Sequence, residues 1–291
     1  MLVAIETTLI YTVLLGSLYL LVSLGFSLVC GVLRIFHLGY AYIFIGAIYF
    51  TWMFMDLFGW GLVPSIAAMF VIQAGIAIAL YKGLIVRYMK QEEIIITGLL
   101  LVAIILEQLG HRFYPIQAGV YLETTVWSGM STIGEVTVSN QMIFSAILGI
   151  VIAGLFVLFF LKTKLGLATR AISYDLYSSR VMGIQVEQLY MFIMVLVLIP
   201  VIIATLAIAP VWAVDPSMGW GYMITAILVC VLGGLGNIKG TIIASYIIGL
   251  SHAVVAFVVA EPRFMGLAAL LVVLIMLIVR PQGIAKSETV W

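Results

Sequence analysis

Long apolar runs separated by short polar connections form the main pattern of this chain. A helix needs about 20 residues to cross about 30 Å of hydrocarbon, and a helix satisfies its own backbone groups in lipid. The runs do not alternate between apolar and polar residues, which argues against strands. The pattern therefore predicts an all-α transmembrane bundle of eight or nine spans, near residues 9–30, 35–55, 60–81, 94–110, 140–161, 190–213, 219–236, 241–260 and 264–279.

The run at 219–236 is the least typical of a span, because Gly233-Gly234-Leu235-Gly236 interrupts its end. Glycine clusters favour turns, so a full crossing and a re-entrant hairpin both fit this stretch. The first apolar run lacks a basic start and a small-residue cleavage site. We expect it to be a retained helix and not a removable signal peptide.

Composition excludes a water-soluble fold. Of the 291 residues, 65% are hydrophobic and 9% are charged, far outside the range of soluble domains. The formal net charge of +1 gives no indication of a nucleic-acid-binding surface. We therefore treat the chain as one transmembrane domain over 1–291, embedded in the lipid bilayer and with no nucleic-acid partner.

The positions of the charges predict an orientation. Basic residues cluster in two connections and in the final segment, namely Lys82, Arg87, Lys90, Lys162, Lys164, Arg170, Arg180, Arg280 and Lys286. The opposite connections hold only two basic residues, Arg112 and Arg263, together with five acids, Asp56, Glu123, Glu135, Asp215 and Glu261. Because cytoplasmic loops carry the excess of Lys and Arg, the N-terminus is predicted outside and the C-terminus in the cytoplasm.

Few ionisable groups lie within the apolar runs. Glu107 precedes His111 and Arg112 near a span end, which predicts interfacial pairing. His37 and His252 stand alone, and a lone histidine is more often a satisfied interfacial residue than a metal ligand or a proton carrier. No metal site is expected.

The two cysteines, Cys30 and Cys230, both lie in apolar runs and form no C-x-x-C pair. They are expected to be buried reduced thiols without a redox role.

Small residues and tyrosines mark the first two spans. Gly16, Gly25 and Gly31 lie in the first span, and Gly39 and Gly46 stand among tyrosines of the second. Small residues let membrane helices approach closely, so tight packing is the main interpretation. Lining of a solute pathway by small residues and tyrosine hydroxyls is the alternative.

The connection over residues 162–190 is too polar to span but contains a short helical pattern. Asp175 is a predicted N-cap, Leu176 and Ser179 share one face, and Gly183 is placed to end the helix. Two interpretations remain from the pattern alone: an amphipathic turn on the headgroups, or a helix that docks on a partner.

Four sequence blocks in order give a more specific signal. They are Gly16-Ser17-Leu18-Tyr19 with Gly25 and Gly31; Lys164-Leu165-Gly166, Arg170-Ala171 and Asp175 leading to Met182-Gly183-Ile184; Val231-Leu232-Gly233-Gly234-Leu235-Gly236-Asn237-Ile238 with Gly240; and Arg280-Pro281-Gln282-Gly283. Together they resemble the permeases of the branched-chain amino-acid ABC transporter family, almost end to end.

The resemblance implies a permease subunit in the inner membrane of a prokaryote. Its partners would be cytoplasmic ATPase subunits that use ATP and Mg, a second permease subunit that is paralogous or identical, and an extracytoplasmic solute-binding protein. This chain has no G-x-x-x-x-G-K-[ST] phosphate loop, so we expect no enzyme activity and no cofactor in it. The coupling helix would lie in the 162–190 connection and involve Lys164, Gly166, Arg170, Ala171, Asp175, Leu176, Arg180 and Gly183.

The predicted solute pathway comes from the second and seventh spans and lacks fixed charges. It includes His37, Gly39, Tyr40, Tyr42, Gly46, Pro216 and Gly219. Structural roles are predicted for Gly16, Gly25, Gly31, Gly233, Gly234 and Gly236. Such a lining suits a small neutral or zwitterionic solute, such as a hydrophobic or branched-chain amino acid, an amide or urea.

Two departures from the family pattern bear on substrate identity. The stretch Ile35-Phe36-His37-Leu38-Gly39-Tyr40 replaces an Asn-Phe-Ala-His-Gly type sequence and is one residue short. Asn237 and Lys239 stand where the family has Ser and Pro.

Two other classes of function were weighed. A secondary transporter or channel for a small neutral solute needs no ATPase, but ion coupling usually leaves carboxylates within spans, and only Glu107 comes near that. A membrane enzyme needs acid, base or metal groups gathered at one depth, which three scattered histidines do not supply.

Overall fold

The computed structural model describes residues 2–89, 91–113, 125–212, 215 and 217–285. Twelve helices and one strand pair occur in these ranges: α1 (Leu2–Leu33), α2 (Ala41–Asp56), α3 (Leu62–Leu80), α4 (Glu92–Phe113), β1 (Met130–Ile133), β2 (Val136–Ser139), α5 (Asn140–Lys162), α6 (Lys164–Tyr174), α7 (Leu176–Val181), α8 (Val186–Leu196), α9 (Leu198–Ile208), α10 (Met218–Gly233), α11 (Ile238–Phe257) and α12 (Met265–Val279). A 3-10 turn at Leu38–Tyr40 precedes α2, and a π-helical turn at Tyr81–Ile85 follows α3.

In the described ranges, eight helical segments are long and apolar enough to cross a membrane, counting α8 with α9 as one. The all-α transmembrane class and the count of eight or nine spans are therefore confirmed. Helix α10 accounts for the uncertainty in that count. Its 16 residues extend about 24 Å, less than the hydrocarbon thickness.

The predicted span at 190–213 differs from the structure. The helix begins earlier, at Val186, and is interrupted at Val197 between α8 and α9. Pro200 lies four residues after Leu196. Because proline has no N–H, it cannot donate a hydrogen bond to the Leu196 carbonyl. The break is the local consequence of that missing bond.

The first helix is the centre of the bundle. Every residue from Leu14 to Leu33 is buried, and α1 contacts α5, α9, α10 and α11. The outer helices α3, α4, α5 and α12 expose large apolar side chains, among them Leu271 and Ile275 of α12. In a bilayer these side chains face lipid tails.

Helices α1 and α11 touch through glycine. A Cβ atom on Gly249 would lie 2.8 Å from the amide nitrogen of Gly16, and one on Gly16 would lie 2.5 Å from the Tyr246 ring. At the other end of α1, a Cβ atom on Gly31 would lie 2.6 Å from the Cα atom of Gly236. Main chains meet here, as small residues in membrane helices allow.

The glycine-rich turn between α10 and α11 is closed by the segment after α12. The amides of Ile284 and Ala285 donate to the carbonyls of Leu232 and Gly233 at the end of α10 (2.9 and 3.2 Å). Gly234 has φ +98°, and a Cβ atom on it would collide with the Ala285 carbonyl oxygen. The segment after α12 therefore supplies N–H donors to carbonyls at the end of α10, which have no partner within their own helix.

The hairpin of β1 and β2 was not expected from the sequence. Met130 pairs with Ser139 and Ile133 with Val136, and Val136 and Val138 of β2 are buried against the outer part of α1 and α5. Four-residue strands give a weak pattern of alternation, so sequence reasoning did not find them.

We expect Gly31→Ala to lower stability by about 1–3 kcal/mol, because the added methyl group meets main-chain atoms that can move only with a helix. The matched control is Gly154→Ala in α5, where a Cβ atom meets nothing within 4 Å. Loss of monodisperse protein after heating in detergent measures both changes. Heat resistance of Gly31→Ala equal to that of Gly154→Ala would show that this contact does not constrain the fold.

Candidate functional site

The polar connection contains two helices, and the sequence predicted only the second. The Thr163 side chain caps α6 by accepting from the Gly166 amide (3.0 Å). A Cβ atom on Gly166 would lie 2.5 Å from the Phe160 Cα atom, so the sharp turn from α5 into α6 requires glycine. The missed signal was Thr163 followed by a helix-forming stretch.

Helix α7 has the two ends predicted for it. The Asp175 carboxylate accepts from the amides of Tyr177 and Ser178 (2.9 and 3.1 Å) and from the Ser178 hydroxyl. Gly183 has φ +83°, its amide donates to the Arg180 carbonyl, and the Ile184 amide donates to the Ser179 carbonyl. This is a Schellman ending, which favours glycine at that position.

Helix α7 presents apolar side chains away from the bundle. Ser179 is buried, whereas Tyr177, Val181 and Met182 are 78, 72 and 83% exposed. We call these three residues, with Leu176, the α7 surface. It lies outside the helices that can span, and exposed apolar patches of this kind mark interaction sites with a protein or with the membrane surface.

Arg34 links the connection to the central helix. It has φ +55° just after α1, and its guanidinium donates to the Ser173 carbonyl in the last turn of α6 (3.0 Å). A cation at a helix C-terminus is favourable. The other residues predicted for ATPase coupling lie at different places: Lys164 and Arg170 are exposed on α6, Ala171 is half-buried there, and Arg180 is exposed on α7.

Basic groups gather at this end of the bundle. Arg34 and Arg170 lie there with Lys239, which follows the glycine-rich turn, and with Arg280, whose carbonyl accepts from the Gly283 amide. Glu135, in the hairpin turn, lies at the opposite end, beside the start of α1. The predicted orientation, with the C-terminus in the cytoplasm, stays a prediction.

Most of the predicted pathway residues are packed in this conformation. His37 is buried, the Tyr40 hydroxyl donates to the Val22 carbonyl (2.7 Å), and Gly219 lies against the Ala41 carbonyl. Gly39 lies between the His37 ring and the Leu99 carbonyl. Pro216 falls outside the described residues.

Tyr42 and Gly46 instead line a cavity of about 400 Å³ between α2 and α4. Its other walls are apolar or aromatic and include Tyr49, Ile76 and Leu106. The Tyr42 hydroxyl is buried and has no hydrogen-bond partner among the described residues. A cavity lined almost entirely by apolar and aromatic side chains suits a small, largely apolar ligand.

Two polar side chains lie near this cavity. From the sequence, Gln73 was missed and only part of the contacts of Glu107 was predicted. Gln73 of α3 is fully buried, and its amide donates to the Ile43 carbonyl across the α2–α3 contact (3.0 Å). Glu107 accepts from the Trp220 indole N–H (2.6 Å) and lies 3.8 Å from His111. The predicted pairing of Glu107 is present, and it also joins α4 to α10.

The remaining titratable candidates are packed inside the bundle. His252 accepts from or donates to the Tyr19 hydroxyl (2.7 Å), which joins α11 to α1. Cys30 and Cys230 are free and buried. No group of three or more His, Cys, Asp or Glu residues in the described ranges could hold a metal ion.

Comparison with known proteins decides the family. The sequence profile of the branched-chain amino acid transport system permease component matches residues 8–280. The chain belongs to this family. The four sequence blocks noted above all lie in or at the edge of the matched range.

Two curated relatives agree with that assignment. The probable branched-chain amino acid transport permease LivH of Methanocaldococcus jannaschii is 27% identical over 145 residues, 48% of this chain and 46% of that protein. The permease BraD of a high-affinity branched-chain amino acid transport system in Pseudomonas aeruginosa is 26% identical over 157 residues, 54% of this chain and 51% of that protein. The matched part thus spans about half the length of these relatives.

A solved structure supports the fold. PsaBC from Streptococcus pneumoniae, in complex with Fab, superposes with a TM-score of 0.52 over 96% of this chain and 92% of that chain, at 15% identity. At that identity only the arrangement of helices is shared. With its apolar helices, this permease-family chain is a multi-pass protein of the inner membrane.

The pH dependence of the α7 cap can be predicted. The Ser178 hydroxyl and amide, followed by the Tyr177 amide, hold the pKa of Asp175 below its ordinary value. A carboxyl group whose pKa is lower when folded stabilises the fold above its ordinary pKa, and that contribution is lost as the pH falls through the lowered pKa. We expect amide hydrogen exchange in α7, corrected for its intrinsic pH dependence, to rise over that range.

Two variants separate the cap from its charge. Asp175→Ala removes the acceptor and is expected to raise exchange in α7 at every pH. Asp175→Asn keeps a capping oxygen and is expected to remove the pH dependence while α7 stays protected. Equal exchange in Asp175→Ala and wild type at neutral pH would exclude this cap as a determinant of α7.

Proposed function

We propose that the chain is the permease subunit of an ATP-driven importer of small neutral or zwitterionic solutes, such as branched-chain or other hydrophobic amino acids, amides or urea. Membership of the permease family supports the transport role. The α7 surface carries the ATP-driven part of the proposal, because a capped helix outside the bilayer with exposed apolar side chains requires a partner to cover it.

The partner on that surface is a cytoplasmic ATPase subunit, which binds ATP and Mg. Movement imposed on α7 reaches the membrane through α6 and the Arg34–Ser173 bond at the end of α1. A second permease subunit, identical or paralogous, and an extracytoplasmic solute-binding protein complete the importer. Alternating access of the bundle to its two sides then moves the solute.

The solute site is the cavity between α2 and α4. The Tyr42 hydroxyl offers one hydrogen bond, and the apolar walls accommodate a hydrocarbon side chain. No charged residue lines this cavity in the described part of the chain, which favours solutes without net charge.

A secondary transporter or channel is the second candidate. Glu107, the carboxylate that the sequence analysis weighed for ion coupling, already accepts from Trp220 and lies beside His111. These contacts give Glu107 a structural role, so its presence does not require coupling to an ion. The ATP-driven proposal is therefore preferred.

The α7 surface is tested by Met182→Glu in the tagged chain, purified from native membranes with its bound proteins identified by mass spectrometry. We expect an ATPase to accompany the wild type and to be reduced at least tenfold with the variant, since a buried charge without a partner costs more than about 1.4 kcal/mol.

The matched control is Met130→Glu. Met130 is 75% exposed, but it lies in the hairpin at the opposite end of the bundle. ATPase recovery should be unchanged in this variant. If the wild type carries no ATPase under conditions that preserve membrane complexes, the ATP-driven proposal fails and the channel or secondary transporter takes its place.

The solute cavity is tested by Tyr42→Phe, which removes only the free hydroxyl. In vesicles containing the intact transporter, we expect the solute concentration at half-maximal uptake to rise about threefold to tenfold, the usual net value of one hydrogen bond. Tyr11→Phe is the control, since Tyr11 packs on Phe257 away from this cavity. An unchanged half-maximal concentration in Tyr42→Phe places the solute elsewhere.

A further inference from the structure

A second cavity, of about 320 Å³, opens at the basic end of the bundle. It lies between the end of α1, the end of α5, α6 and the start of α11, and the Gly31–Gly236 contact forms part of its wall. It is separate from the solute cavity between α2 and α4. We call it the basic cavity.

The lining of the basic cavity is amphiphilic. Its apolar side includes Leu28, Val32, Phe160 and Leu235 from the ends of membrane helices. Its polar side includes Thr169 and Ser173 of α6, with the basic residues Arg170 and Lys239. No acidic residue lines it in the described part of the chain.

The two basic side chains have no counter-charge. Neither Arg170 nor Lys239 forms an ion pair with any residue that the structure describes. Arg34 adds a third positive charge at the edge, because its guanidinium donates to the carbonyl of the lining residue Ser173. Asp175, at the end of α6, interacts with Arg34 but does not line the cavity. Arg170 and Lys239 therefore share the lining with no acidic residue, and a bound anion would offset their like charges.

Lys239 is also in an unfavourable local position. It is the second residue of α11, whose N-terminus carries the positive end of the helix dipole and is capped by Asn237. A lysine there lowers helix stability, and local conflicts of this kind are expected at functional positions. A bound anion would reverse the sign of this interaction.

We propose that the basic cavity binds the phosphate-bearing headgroup of an anionic phospholipid, such as phosphatidylglycerol. The phosphate lies among Arg170, Lys239 and Arg34, and the start of an acyl chain lies along Leu28 and Phe160. Basic pockets between membrane helices at the cytoplasmic side recognise anionic headgroups in this way. The apolar wall favours a lipid over a free phosphate compound.

Native mass spectrometry of the detergent-purified chain, titrated with phosphatidylglycerol or phosphatidylcholine, tests the proposal. We expect the wild type to prefer phosphatidylglycerol. Arg170→Gln with Lys239→Gln should weaken phosphatidylglycerol binding roughly 30-fold, because each basic residue near an anionic headgroup contributes about fivefold. The matched control is Lys82→Gln with Arg87→Gln, which removes two exposed basic charges outside the cavity.

The outcomes separate the two sources of phosphate. Competition by glycerol phosphate against bound phosphatidylglycerol supports a site that recognises the phosphate of the lipid. Binding of glycerol phosphate without any preference for phosphatidylglycerol over phosphatidylcholine overturns the lipid assignment. Equal phosphatidylglycerol binding by wild type and the Arg170–Lys239 variant overturns the site itself. Unchanged phosphatidylcholine binding and a monodisperse profile show that the variant is folded, and no ATPase partner is needed for any of these measurements.

Discussion

Direct contact between main chains of the central helices is the constraint on which the rest of this structure depends. Helix α1 is buried from Leu14 to Leu33, so other helices must surround it on all sides. In lipid there is no hydrophobic gain from bringing two apolar helices together, and close van der Waals contact must supply the attraction. Gly16 with Gly249, and Gly31 with Gly236, allow that distance. Larger residues at these points would separate α1 from α11 and open the core.

The same constraint determines where polar groups lie. Hydroxyl groups in the spans mostly donate to the carbonyl four residues earlier in their own helix, as Thr12, Ser17 and Thr51 do. A hydroxyl bonded in this way needs no partner on a neighbouring helix, and its small side chain lets that helix approach closely. Some polar links between helices, such as Tyr19 with His252 and Glu107 with Trp220, join helices that are distant in sequence. Polar residues therefore tie the bundle together at a few points, and glycine sets the spacing between them.

The sequence predicted the elements well and their contacts poorly, for physical reasons. Hydropathy distinguishes segments that lie in lipid from segments that lie in water, so it predicted the spans and the polar 162–190 connection. The capping residues Asp175 and Gly183 predicted the position of α7. The start of α6 was missed because Thr163 follows directly on a long helix, and the hairpin of β1 and β2 because its strands are four residues long. The sequence alone does not distinguish the environments of Tyr40 and Tyr42. Only the fold gives the Tyr40 hydroxyl a carbonyl partner and places Tyr42 in the wall of a cavity.

The packing is uneven across the bundle, and this bears on how a transport protein of this shape can move. Around α1 and α11, displacement would bring main-chain atoms into collision or break several close contacts at once, because packed cores change between discrete arrangements and do not deform continuously. The α2–α4 side contains a 400 Å³ cavity and the α4–α10 contact includes one hydrogen bond between side chains, so less is lost when it moves. Arg34 stands between these regions: it ends the rigid helix, bonds α6, and precedes the short turn into α2. In the proposed importer, motion passed on by α6 would therefore meet the closely packed α1 on one side and the less closely packed α2 on the other, and α2 borders the cavity.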